Sequence, residues 1–115
     1  MYGLTVRWSL ADAGQQSAKE LREYVVDTSL ARFTGMEGLR FKTWRMRAGE
    51  WFEGTYVFET AAARDGFEAS FREGAPTALF TQLIGAEPIT IEPFEVVAVA
   101  EGGSGFAAGP GPGTA

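Results

Sequence analysis

The sequence predicts an α+β domain of the ferredoxin-like sandwich type, with four antiparallel strands and helices on one face of the sheet. Three observations lead there. Strand-like and helix-like stretches follow one another as β, α, β, β, α with a helical extension, and β, the split β-α-β order. The middle pair, residues 38–59, reads as a long hairpin about Ala48-Gly49-Glu50. A length of 115 residues with 45% hydrophobic and 13% aromatic content suits one compact domain with one core.

In chain order, Tyr2, Leu4, Val6 and Trp8 alternate with Gly3, Thr5 and Arg7, the pattern of a half-buried strand. A helix is expected from about Gln15 to Phe33, with Ala18, Leu21, Val25 and Thr28 on its inner face and Lys19, Glu20, Arg22 and Glu23 outward. Gly35 and Gly38 end it. In the hairpin, a three-residue loop sets Arg47 opposite Trp51, Arg45 opposite Glu53, Trp44 over Gly54, Lys42 opposite Tyr56 and Phe41 opposite Val57. The loop length leaves other registers open. Thr60 is the expected N-cap of a second helix, shortened by Gly66, with Ala63, Phe67 and Phe71 on one face. Pro76 starts a third helical segment carrying Leu79, Phe80, Leu83 and Ile84, and Gly85 closes it. Pro88 to Ala100 reads as the last strand, with a bulge or an edge position at Pro93. The domain is thus 1–101. Residues 102–115, mostly Gly, Pro, Ala and Ser, are expected to form a disordered tail.

Composition narrows the function. A net charge of -5 and a pI near 4.7 argue against nucleic acid or an anionic membrane surface as partner. The basic series Arg40, Lys42, Arg45 and Arg47 does not alter this, because strand alternation divides it between two faces. With no cysteine and no histidine, thiolate chemistry, His-centred triads and His-ligated zinc or haem are excluded. Lysine, tyrosine and carboxylates remain for proton work. No acidic spacing suggests a metal, and no cofactor motif is present. Neither a signal sequence nor an apolar run of membrane-spanning length is seen, so a cytoplasmic protein is expected.

The hairpin and its surroundings resemble the YdhR-like mono-oxygenase family of the dimeric α+β barrel superfamily. The matching residues are Gly38-Leu39, Lys42 and Trp44, then Gly54, Tyr56 and Phe58, Gly85, and finally Phe94-Glu95-Val96. Glu37 stands where the family has proline, and Glu95 where it has aspartate. The resemblance covers roughly residues 1–100. It implies a homodimer with two sheets packed face to face, and a cavity in each subunit between its sheet and helices.

On this reading Arg40, Lys42, Trp44, Met46, Phe52, Gly54, Tyr56 and Phe58 face the helices. Gly54 beside Trp44, Tyr56 and Lys42 leaves a gap suited to a flat phenolic or quinonoid molecule. The same aromatics serve equally as ordinary core, with Lys42 snorkelling. Leu39, Phe41, Thr43, Thr55 and Val57 occupy the opposite face, which suits a sheet-to-sheet subunit contact. Asp27 and Thr28 on the first helix read either as polar guides pointing into the cavity or, as Asp is mostly exposed, as a partly exposed helix face, the reading that is favoured. Two functions follow. One is a cofactor-independent mono-oxygenase in which Lys42 stabilises a phenolate, Tyr56 hydrogen-bonds a substrate oxygen, and Trp44 and Phe58 stack on the rings around Gly54. The other is a non-catalytic dimeric module that binds a small aromatic molecule.

Overall fold

A computed structural model describes residues 1–111; residues 112–115 of the expected tail lie outside the described part. The sheet has four antiparallel strands in the order β2-β3-β1-β4: β1 (Tyr2–Ser9), β2 (Leu39–Arg47), β3 (Trp51–Phe58) and β4 (Thr90–Glu95). All helices lie between these strands in the chain: α1 (Ser17–Tyr24), a π-helical turn (Val25–Ser29), α2 (Leu30–Phe33), α3 (Ala61–Gly74), a 3-10 turn (Ala75–Thr77) and α4 (Leu79–Ile84). This arrangement is compatible with the ferredoxin-like sandwich, formed as an open sheet.

The hairpin pairs as the side-chain chemistry dictates. Arg47 stands opposite Trp51, Arg45 opposite Glu53, Trp44 opposite Gly54, Lys42 opposite Tyr56 and Phe41 opposite Val57. Gly49 turns at φ 78°, a left-handed conformation that favours glycine. One detail departs from strict alternation. Leu39 pairs with Phe58 and Phe41 with Val57, so Arg40 is an extra residue, a β-bulge. The bulge leaves Arg40 exposed and lets Leu39 pack on the core, whereas alternation had put Arg40 inward and Leu39 on the open face.

Leu4, Val6 and Trp8 of β1 are buried in the middle of the sheet, against Phe52, Tyr56 and Phe58 of β3 and against Leu21, Phe33 and Ile84 from the helices. Each such side chain contributes about 1.5–3 kcal/mol by leaving water. The Trp8 indole N–H donates to Thr81 Oγ1 at 3.2 Å, so its polar atom is satisfied inside.

Three elements differ from expectation. The helical run through Phe33 contains a π turn, whose additional residue moves the buried face from Thr28, which is exposed, to Ser29. The second helix is the longest, 14 residues despite Gly66. Its Thr60 cap accepts from Ala63 N at 3.1 Å, and tertiary anchors outweigh the glycine. Phe67 packs on Phe33, Tyr56 and Phe58, while Arg64 donates to the carbonyls of Gly3 and Phe94 and Arg72 donates to that of Ile91. The last strand stops at Glu95, because β1 begins at Tyr2 and only one further bond, Val96 N to Met1 O, remains to be made. Pro93 sits there on an edge strand, without a bulge.

Residues 96–111 contain no helix or strand, yet they touch the domain. The Phe106 ring lies 6.0 Å from that of Phe41 on β2, the edge farthest from β4. Phe41 shares the open sheet face with Val57, Gly3 and Phe94, so the segment crosses that face.

Candidate functional site

The site begins with an edge strand. β2 has a neighbour on one side only, and its inward residues Lys42, Trp44 and Met46 look toward the helical stretch from α1 to α2. Between that stretch and β2 lies a cleft of about 470 Å³, within the range of small-molecule sites. Val25, Leu30 and Phe33 form its helical wall and Lys42 and Trp44 its strand wall, while Phe41, on the other face of β2, and Ala107 to Gly111 border it from outside. A second cleft of about 700 Å³ opens on the other side of Trp44, toward Met46, Phe52 and the charged residues Lys19, Glu23 and Asp27 of the helical stretch. The π turn contributes Val25 and Val26 to both clefts.

Lys42 is the chemical centre of the first cleft. Its Nζ stands 3.6 Å from the ring centroid of Phe33, 4.3 Å from that of Tyr56 and 4.4 Å from that of Trp44. Among the described residues no carboxylate pairs with it. Burial, and secondly the charge of Arg32, pull its amine down to about 6 from the ordinary lysine value. The ring faces act in the opposite direction, since their negative quadrupole attracts the cation. Tyr56 beneath it is pushed the other way, above its ordinary range by burial, so its hydroxyl keeps its proton. The indole Nε1 of Trp44 is buried without a partner among the described residues, a donor left open next to the clefts.

The five residues singled out in the sequence divide into two groups. Lys42 and Trp44 line the cleft. Gly54, Tyr56 and Phe58 are buried behind them and belong to neither cleft. Phe58 stacks on Tyr56 at 6.2 Å and meets Phe67 at a tilt, away from the opening. The space above Gly54 is taken by the protein itself, because a Cβ there would stand 3.4 Å from Lys42 Cε and from Tyr56 Cε1 and Oη. The glycine therefore gives room to the lysine stem. Of the hairpin residues expected to face inward, Arg40 is turned out by the bulge. Asp27 and Thr28 are exposed.

Two contributors were not singled out from the sequence. Phe33 closes the ring cage from the helix end, and Arg32, 4.8 Å over the Phe33 ring, repels the Lys42 proton. Both lie on the last turn of a helix followed by a glycine and a strand, where the chain folds back on itself. Among the described residues no three acidic side chains gather into a cation site, and no helix is long and apolar enough to cross a membrane.

On the opposite sheet face, Glu53 is 2% exposed and is held by Arg7, Arg45 and the hydroxyl of Thr55. Desolvation pushes this carboxyl up, but the hydrogen bonds from Arg45, Arg7 and Thr55 outweigh it and keep the group below its ordinary value. Arg7 also lies 4.2 Å over the Trp51 ring. Every partner in this cluster is satisfied, so it is a structural clamp across three strands.

No protein-family model matches the chain, and no curated protein is significantly similar to it.

Proposed function

We propose that the chain is a YdhR-like domain of the dimeric α+β barrel kind, whose edge cleft takes a flat phenol that Lys42 deprotonates for oxidation by dioxygen. The observation that carries the reading is the unpaired Lys42 amine, set among three aromatic rings in the wall of an apolar cleft. An amine brought down toward neutrality is a base rather than a standing cation. It accepts the phenol's proton, and the ammonium so formed then holds the phenolate. The phenolate is electron-rich enough to pass an electron to oxygen. For a substrate with a ring methylene, methylene plus dioxygen gives carbonyl plus water, and Lys42 returns the proton. Trp44 stacks on the rings. Tyr56, Phe58 and Gly54 act from behind, by fixing the lysine stem.

A second reading is a binding module without chemistry. It is favoured by the first cleft's wall, where Lys42 has no second acid or base beside it that titrates near neutrality among the described residues. Oxygen-electrode measurements with hydroxylated polycyclic substrates separate the two. Uptake in wild type that falls at least about tenfold in Lys42→Met supports the oxygenase, whereas tryptophan quenching without uptake supports the module.

The proposal includes a homodimer formed through the open sheet face. Phe41, Val57 and Phe94 lie in one row there, and Phe106 rests at its end, so a partner would pack on the crossing segment as well as on the sheet. Sedimentation equilibrium at micromolar concentration is the test; Val57 is 3% exposed within the subunit itself, so Phe106→Glu, on the exposed crossing segment, is the variant expected to shift the equilibrium toward monomer.

A further inference from the structure

We infer that Lys42 is a carbonyl-capture site: its amine condenses with an anionic aromatic aldehyde or ketone that enters the cleft between β2 and the helical stretch. This uses the same cleft as the proposed oxidation but different chemistry. The amine lone pair adds to the carbonyl carbon, and the carbonyl oxygen leaves as water with both amine hydrogens. Amine plus carbonyl thus gives imine plus water, with no oxidant or reductant.

The placement of the chain's amines makes Lys42 the candidate. Lys19 and Lys42 are its lysines, and Met1 carries the α-amine. The Lys19 side chain is 74% exposed and lies 3.9 Å from Glu23, a solvated ammonium beside a carboxylate. Lys42 instead meets three ring faces and no carboxylate. A desolvated lysine flanked by another cation is the environment in which an amine becomes nucleophilic, and Arg32 is that cation.

The walls specify the ligand. Phe33 and Trp44 favour a flat ring. Arg40 borders the cleft and Arg32 acts on Lys42 from the end of the helix, and these two cations favour an anionic substituent. Trp44, in the cleft wall, has a buried Nε1 donor without a partner among the described residues. Tyr56, the other titratable group against the amine, keeps its proton and adds no negative charge.

The test uses the full chain with 4-formylbenzoate and cyanoborohydride at pH 7, and locates the reduced adducts by peptide mass spectrometry. At pH 7 an amine titrating near 6 is mostly neutral, whereas an ordinary lysine is neutral to about 0.03%. Even with lower intrinsic nucleophilicity, Lys42 is expected to label at least about tenfold faster than Lys19. That excess should shrink as the pH is raised to 10. Lys42→Met, which adds no charge to the site and whose folding is checked by its melting temperature, should lose the adduct. Labelling of Lys19 or Met1 as fast as Lys42 overturns the inference, and equal labelling by uncharged benzaldehyde overturns the preference for an anion. An adduct with no oxygen uptake from phenols upholds capture and removes the oxidation reading; uptake with no adduct does the reverse.

Discussion

Replacing Lys42 by Met should stabilise the protein at neutral pH, and the gain should vanish in alkali. In the folded chain the amine titrates near 6, and in the unfolded chain near the ordinary 10.5. Below about 6 both states are protonated and the folded state carries the full cost of the buried cation. Between the two values the unfolded chain holds a proton that the folded chain lacks, so wild-type stability rises with pH across that window. At about 1.36 kcal/mol per pH unit, the displacement sets a ceiling of about 6 kcal/mol. The residue as a whole keeps some contact with water, and three ring contacts each return about 0.5–2 kcal/mol to the cation, about 1.5–6 kcal/mol in all, which leaves at most about 4 kcal/mol. Methionine fills the same space without a charge. Urea unfolding of both proteins at pH 6, 7.5, 9 and 10.5 reads the difference directly, and the carboxylates common to both cancel. A stability difference that does not change with pH would refute the reasoning, because it would mean that Lys42 titrates alike in the folded and unfolded chains.

Glu53→Gln should cost about 2–3 kcal/mol, since it leaves Arg7 and Arg45 without their shared carboxylate. Because the folded-state value of Glu53 is depressed, that contribution is present above its ordinary titration and is lost as the pH falls through the folded value, so acid unfolding curves of the two proteins should converge. Gly54→Leu should overpack the stem of Lys42 and destabilise by about 1–3 kcal/mol, measured by thermal melting. Gly3→Ala drives a Cβ into the Phe94 ring and should loosen β4 by a similar amount, seen as faster amide exchange at Phe94. Deleting residues after Glu101 should change the melting temperature by no more than a few degrees, because Phe106 is 66% exposed, yet weaken cleft ligands by about threefold.

Much of the fold was legible because its signals are local. The register of the hairpin follows from a three-residue turn and the pairing of Arg45 with Glu53, both written within one short stretch. The inner face of β1 follows from alternation alone. What was not legible depends on contacts between distant segments. The length of α3 rests on Arg64 and Arg72 reaching carbonyls of β1 and β4, which no helix-propensity argument contains. The π turn and the Arg40 bulge each add one residue to a regular period, and sequence periodicity assumes that the period holds. At the site, Lys42 and Trp44 were visible as inward hairpin residues. The gap over Gly54 was misread as open because strand geometry shows where a Cβ is missing, not which neighbour fills the space. Phe33 and Arg32 were missed because they enter the cage from a helix end.

The crossing segment links the protection of the sheet edge to the cleft. β2 is an unpaired edge, and such edges invite pairing with another chain unless they are bulged, charged or covered. All three devices meet here: the Arg40 bulge, the outward Arg45 and Arg47, and the stretch from Phe106 to Gly111. Covering the edge also closes the outer wall of the cleft, because the inward residues of the same strand are Lys42 and Trp44. Anything that lifts Phe106 from Phe41 therefore opens the approach to the amine. The segment holds by one tilted ring contact with Phe41 and by small residues, so lifting it costs little, and ligand entry need not disturb the core. Phe106→Ala should accordingly speed cyanoborohydride labelling of Lys42 while leaving the unfolding midpoint in urea unchanged. If labelling slows or stays the same, the segment does not gate the cleft, and the amine is reached from the Met46 side.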